Sequence, residues 1–345
     1  MYYDELIGKH TYYTLIVLST LIMFAVMSGC ANNSGKSNLS SSSPNARTVV
    51  GGPQSLHVWL AGSRNLIASS GNGGESWSVF QTPSLDVYRS LAFANPVVGW
   101  AVGINGTIIG TNNGGQSWRV QWRGHGRALL GIACADPSRA WAVGAEGLVL
   151  CTSDGGTTWR QESLGRGEAL TGVAFSGPLT GWAVGRALAG TPRSMIFSTT
   201  DGGRHWRLRR TEKGTALLAV AIGDARHVYA VGGSLVSTQD GGFTWNSRHL
   251  ASKSLGGFTA VAAQGARAWA AEYGGRILTT RDGGKAWASQ SFRGVHLVGI
   301  AFGDALNGWV CSSEGVVLST EDGGVIWKRS GPPDLGGLLG VAARP

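Results

Sequence analysis

One residue sets the frame. Tryptophan recurs at positions 77, 118, 159, 206, 245, 287 and 327, in steps of 41, 41, 47, 39, 42 and 40 residues. A fixed period near 40 marks a repeat architecture, in which each unit hides its apolar surface only against its neighbours. The clearest copy, Leu129 to Trp159, reads LLGIACADPSRAWAVGAEGLVLCTSDGGTTW. A first apolar stretch ends in a turn, Trp-Ala-Val-Gly follows, a Gly leads into Leu-Val-Leu-Cys-Thr, and Ser-Asp-Gly-Gly-Thr-Thr-Trp opens a fourth stretch. Apolar runs this short, bounded by Gly, Asp and Ser, read as strands rather than helices. Four short strands per unit is the size of one propeller blade. The 55 glycines among 345 residues agree, since without a collagen period they imply many tight turns.

A second aromatic recurs in register: Trp59, Trp100, Trp141, Trp182, Tyr229, Trp269 and Trp309. With the seven turn tryptophans and Trp122, these account for all 14 tryptophans of the chain. A Trp present in every unit reads as packing between blades rather than as a ligand cage. The first-strand pattern recurs at Leu91, Leu130, Thr171, Leu218, Thr259 and Val298, and once more at Leu338-Leu339-Gly340-Val341-Ala342. The first unit, His57 to Trp77, lacks it. The expected fold is therefore all-β: a seven-bladed β-propeller of four-stranded antiparallel blades over residues 53–345, closed by the C-terminal strand completing the N-terminal blade. Such closure removes the exposed edge that invites aggregation. The one long step holds an insertion, Arg186 to Ser194, between a second and a third strand.

The turn Thr152-Ser153-Asp154-Gly155-Gly156-Thr157-Thr158-Trp159 matches the Asp-box of sialidase-like propellers. Its Asp can accept backbone N–H bonds, its Gly pair supplies positive φ, and its Trp packs beneath. The equivalent residues are Asp154, Asp201, Asp240, Asp282 and Asp322, with Asn72 and Asn113 in the first two units. One carboxylate per turn makes a poor site for a hard cation, so these residues are assigned a structural role and no metal is expected.

The N-terminus reads as an export signal. Residues Thr14 to Met27 form an apolar run of 14 residues. That is short for a spanning helix, which needs roughly 20, and right for a signal-peptide core. The run ends in Met27-Ser28-Gly29-Cys30, which resembles a bacterial lipobox. The resemblance implies cleavage of residues 1–29 and lipid attachment at Cys30. It departs from the pattern in two places: Met27 stands where Leu is usual, and Lys9 is opposed by Asp4 and Glu5. Residues 30–52, rich in Ser, Asn and Gly, read as a flexible tether. The expected location is exported and lipid-anchored, on the periplasmic or lumenal side of a bacterial membrane. Cys134, Cys151 and Cys311 are too few and too odd in number for a disulfide framework and read as small core residues.

The whole unit, GW-A-V-G-x-x-G-x-I/L-x-x-T-x-D-G-G-x-x-W, is narrower than the Asp-box alone and resembles the photosystem II assembly and stability factor family over residues 57–345. The resemblance implies a non-enzymatic propeller without cofactor. Its partner would be a membrane protein under assembly; a lipid anchor would tie it to the membrane, and it would act as a monomer. The alternative is a carbohydrate-active or glycan-binding sialidase-like propeller. Glycosidases of the usual kind need two converging carboxylates; acidic residues outside the turns are few, and those that could pair by chance on one face are notably Glu146, Glu168 and Glu272. The Arg-Ile-Pro signature of sialidases is absent, as are His spacings for a metal, a G-x-S-x-G elbow and a P-loop. The net charge of +9 is spread with no Lys/Arg run longer than two, which argues against nucleic acid. No catalytic residue is assigned.

In a four-stranded blade, the connections from strand four to the next strand one and from strand two to three share the face opposite the Asp-box turns. Those segments carry Arg89, Arg127, Arg166, Arg186, Arg193, Arg276 and Arg293. Arginine holds carboxylates in two-point contact and stacks on aromatics, so this rim is the expected partner-binding surface.

Overall fold

The computed structural model describes residues 56–344, apart from 64, 125, 166, 188–189, 215, 249–256 and 332–335. The signal peptide 1–29, Cys30, the tether 30–52, the first residues of the 53–345 domain and Arg166 lie outside the described residues. Among the described residues no helix is long and apolar enough to cross a membrane.

The chain forms seven four-stranded antiparallel sheets. In six of them the strands follow chain order from inside to outside. In the remaining one, blade 1, Leu338–Arg344 is innermost and pairs with His57–Gly62, followed by Leu66–Ser70 and Ser78–Gln81. Its register sets Trp59 against Ala342 and Leu60 against Val341. The innermost strands of blades 2 to 7 are Tyr88–Phe93, Leu129–Cys134, Glu168–Phe175, Leu217–Ile222, Phe258–Gln264 and Leu297–Phe302. Each touches the next, and Leu338–Arg344 touches both the last and the first, so contact runs round a ring.

Every innermost strand is bulged at the same place. The register skips Arg89, Leu130, Thr171, Leu218, Thr259, Val298 and Leu339. The next residue is small in all seven: Ser90, Gly131, Gly172, Ala219, Ala260, Gly299 and Gly340. A Cβ on Gly172 would lie 3.0 Å from the Cα of Ala219 in the neighbouring blade, so backbones meet here and only small residues fit. A bulge sharpens local twist, which lets successive sheets fan around an axis.

The second strands are buried throughout, as in Gly99–Gly103 and Ala140–Gly144, whereas outer strands such as Arg160–Ser163 are largely exposed. The core therefore lies between blades. Trp59 stacks on Phe93 of the next blade at 3.6 Å, and Trp118 meets Phe93 edge-on at 5.9 Å. Trp141–Phe175–Trp206 and Trp269–Phe302–Trp327 repeat the arrangement. Four of the six second-strand indoles also reach a carbonyl of the next Asp-box turn: Trp59 Nε1 donates to Gly114 at 2.8 Å, Trp141 to Gly202 at 2.8 Å, Trp269 to Gly323 at 2.9 Å and Trp309 to Gly73 at 3.0 Å, whereas Trp100 Nε1 is buried without a partner. Repeated tryptophans thus join blade to blade, as their register in the sequence suggests. Where an inner strand ends in Phe, the residue paired with that Phe is Gly: Phe93 with Gly99, Phe175 with Gly181, Phe302 with Gly308. Elsewhere the pair is Cys134 with Ala140 or Ile222 with Val228. Large faces small and medium faces medium.

The Asp-box turns are self-contained networks. Asp154 Oδ1 accepts from Thr152 Oγ1 at 2.8 Å and from the Thr158 N–H at 2.9 Å, while the Gly156 N–H donates to Thr152 Oγ1 at 2.9 Å. Asn72 reproduces this through its Oδ1, accepting from Ser70 Oγ at 2.8 Å and the Ser76 N–H at 3.0 Å. Both glycines hold positive φ, 73° and 85° in Gly155 and Gly156. These bonds hold the Asp154 carboxyl down at about 2, the Thr158 N–H being the largest cause, and they lower Asp201, Asp240, Asp282 and Asp322 as well.

Cys134, Cys151 and Cys311 are buried free thiols. The insertion expected as a loop in blade 4 instead lengthens two strands, Gly181–Ala187 and Arg193–Thr199, with Arg186 set against Ser194. The outer strand Arg207–Lys213 lengthens to match, so the added backbone groups pair with one another rather than with water.

Candidate functional site

The antiparallel order of each blade places the strand-four-to-one and strand-two-to-three connections on one face. Six of the seven rim arginines are described there. Arg89 lies within an inner strand rather than in the loop before it, as the bulged residue of blade 2. Its side chain still meets solvent, yet protein surrounds it closely, and this burial pulls its pKa below the usual guanidinium value. Among the described residues it has no hydrogen-bond or ion-pair partner. Arg186 and Arg193 sit on the lengthened strands of blade 4, the first half-buried and the second exposed. Arg293 is exposed in the connection into blade 7.

Two others are already engaged. Arg127 Nη2 donates to Gln161 Oε1 at 3.1 Å, bridging to the outer strand of blade 3. Arg276 Nε donates to Glu272 Oε2 at 2.5 Å, and Glu272 is only 1% exposed. A buried carboxylate needs a counter-charge, so Arg276 is spent on the fold. It is the weakest of the rim assignments.

Of the three candidate carboxylates, Glu146 and Glu168 lie on adjacent elements and Glu272 lies apart from them. Glu146, with φ 57°, occupies the tight turn Ala145–Gly147 of blade 3, and Glu168 begins the adjacent inner strand of blade 4. Glu272 lies in blade 6, tied to Arg276. Asp86 is buried as well, and its oxygens accept N–H bonds from Val87 at 2.7 Å, Asn105 at 3.0 Å and Thr107 at 3.2 Å. It caps a turn at the wall of a cavity of about 370 Å³ lined also by Ser84, Arg123 and Gly126. Among the described residues no group of three or more His, Cys, Asp or Glu is placed to hold a metal.

Two features escaped the sequence reading. On this face His296 Nδ1 and Glu314 Oε1 are hydrogen-bonded, with Tyr273 packed 4.6 Å from the imidazole. Glu314 Oε2 also accepts the His296 N–H at 3.1 Å, and the bonds from His296 lower its pKa against the opposing effect of burial. The pair joins the entry loop of blade 7 to that blade's own turn, a proximity that strand order alone encodes. The second feature is charge: Arg119, Arg123, Arg160, Arg207, Arg209 and Arg210 lie on outer strands, so the basic surplus belts the circumference as much as it marks the rim.

Fold and site together define a seven-bladed propeller of Asp-box repeats whose one face carries unneutralised arginines. A family model described as Photosynthesis system II assembly factor YCF48 matches residues 124–215 and 206–293, so over these repeats the chain is similar to photosystem II assembly factors. No curated protein matches the chain. Among solved structures it is similar to YCF48 bound to D1 peptide, with 21% identity over 73% of this chain and 85% of that one and a TM-score of 0.59. It is also similar to YCF48 from Cyanidioschyzon merolae, with 19% identity over 74% and 87% and a TM-score of 0.56. A chain of the mitotic checkpoint complex reaches a TM-score of 0.62 at 10% identity over 90% and 93%. Shape alone is therefore shared with proteins of other kinds, and these likenesses carry the fold. The likeness to the assembly-factor family rests on the repeat sequence.

Proposed function

We propose that this chain is a non-enzymatic, membrane-tethered propeller that captures a protein partner, a membrane protein under assembly, through the arginine face. The observation that carries the reading is the set Arg89, Arg186, Arg193 and Arg293, cations on one face with no counter-charge among the described residues. Such a face fits an acidic or carboxylate-bearing segment, since guanidinium groups bind carboxylates in two-point contact. The relative whose structure holds D1 peptide supports a peptide-like ligand. Export, lipid attachment at Cys30 and a monomeric state belong to the same proposal and come from the sequence.

The test is pull-down from source membranes with the chain carrying Arg186→Glu, Arg193→Glu and Arg293→Glu. These side chains are exposed or half-exposed and make no bonds in the fold, so thermal stability should hold while partner recovery falls at least about tenfold, the loss expected when even one charge-assisted contact of about 1.5 kcal/mol is reversed. Unchanged recovery would remove the arginine face from the mechanism. Release of sugar from a glycan panel by the unaltered chain would instead support the carbohydrate-active reading.

A further inference from the structure

The opposite face, that of the Asp-box turns, has its own character. Nine large apolar side chains stay exposed among the described residues, and six of them lie there: Val97, Leu179, Phe243, Leu306, Val325 and Ile326. Only Leu85 lies on the arginine face. The strongest group spans blades 5 to 7. Phe243, 88% exposed, tips one Asp-box turn, and Val325 and Ile326, 52% and 61% exposed, tip another beside Leu306, whose carbonyl accepts the Gly323 N–H at 2.8 Å. Between them the blade 6 turn presents exposed Arg281 and Lys285. Apolar tips flanking cations are the composition of a surface that enters the headgroup layer of a bilayer.

The point of chain entry lies on the same side. Leu56 leads into the second strand of blade 1 at its Asp-box end; its carbonyl accepts the Gly73 N–H at 2.9 Å, and its side chain borders Gly303 of blade 7. The 55 residues before it, with the apolar run Thr14 to Met27 and Cys30, therefore join the propeller beside the blade 7 apolar corner. We infer that the Asp-box face of blades 5 to 7 is a membrane-docking surface that seats Phe243, Val325 and Ile326 in the lipid interface and turns the arginine face away from the bilayer. This rests on the membrane-tether reading above.

A tether supplies an effective concentration on the order of millimolar, so a patch too weak to hold a free protein on lipid still stays docked when linked. Apolar contact, not charge, supplies the attraction. The carboxylates of Asp240, Asp282, Asp304 and Asp322 stand among the cations, and their hydrogen bonds lie within their own turns or loops. Docking should therefore persist at salt concentrations that screen surface charge.

The test reconstitutes the lipidated full chain into vesicles of phosphatidylcholine and phosphatidylglycerol and compares hydrogen exchange with the chain in detergent. The expected result is flotation with the vesicles and at least about fivefold slower exchange in turns 241–245 and 323–327, with turns 104–106 and 273–275 unchanged and the effect retained at high salt. Phe243→Ser with Ile326→Ser should abolish the slowing while flotation persists. A chain that floats without slowing, or slows on the arginine face, overturns the docking surface and leaves the tether standing. A chain that does not float overturns both. Slowing that needs an added membrane protein assigns the face to a protein partner and overturns the lipid assignment.

Discussion

The pairing of Phe93 with Gly99 allows a test in which one substitution changes sign with its neighbour. Gly99 is buried, and a Cβ placed on it would lie 2.4 Å from Phe93 Cδ1 and 2.5 Å from Cε1. Phe93 cannot retreat, because its other face is stacked on Trp59 at 3.6 Å with the rings 8° from parallel. Gly99→Ala should therefore destabilise by about 1–3 kcal/mol, the usual penalty for overfilling a packed core. Phe93→Ala alone should cost about 3–5 kcal/mol. With the ring gone, the same Gly99→Ala change meets no obstacle and gains the backbone entropy advantage of Ala over Gly, about 0.5–1 kcal/mol. The double variant carries an Ala–Ala pair, which blade 6 already uses at Ala263 and Ala268. The coupling energy is then about 1.5–4 kcal/mol, read from urea unfolding of the four proteins. Additive effects within about 0.5 kcal/mol would refute the size-matching account of these blades.

Other outcomes follow from the same structure. Trp309→Phe removes the indole bond from blade 7 to Gly73 of blade 1 and should cost about 1–2 kcal/mol in denaturant unfolding, with the partner carbonyl left unpaired. The Asp-box carboxyls are lowered in the fold, so their contribution is complete above the ordinary value of 3.8 and is lost as pH falls through about 2 at Asp154; the melting temperature should drop between pH 5 and pH 2, and Asp154→Asn should flatten that dependence, because Asn72 shows the turn accepts an uncharged oxygen. Burial pushes the thiols of Cys134 and Cys151 up to about 11 and that of Cys311 to about 12, so alkylation at pH 8 followed by mass spectrometry should leave all three unlabelled until the chain is unfolded.

The repeat made the scaffold legible, because a residue that recurs in register occupies the same place between blades, and most copies put it to the same use. Trp59, Trp141, Trp269 and Trp309 do so, each reaching the next blade's turn. The arginine face was legible only as a set of segments. A bulge puts Arg89 inside a strand, and a bulge leaves no mark in a pattern read at period two. Glu272 neutralises Arg276 across a hairpin, and Gln161 meets Arg127 from 34 residues away. Such partners depend on which connections the blades bring side by side. The insertion in blade 4 misled for a related reason: Arg186 and Arg193 look like loop residues in a polar segment, yet a hairpin can lengthen wherever both sides supply backbone partners.

Blade 1 is assembled from two distant parts of the chain, and the place where they meet is ordinary. In the other blades a short connection, such as residues 94–98 or 135–139, joins the inner strand to the second strand on the Asp-box side. In blade 1 that connection is simply missing, with Arg344 on one side and His57 on the other. The covalent path is thus a loop of seven equivalent segments cut once. Joining the ends of the propeller with a short linker and opening any of the other six connections should yield the same packed ring. The choice of cut fixes which blade receives the N-terminal segment, and so which arc of the opposite rim lies furthest from the point of chain entry.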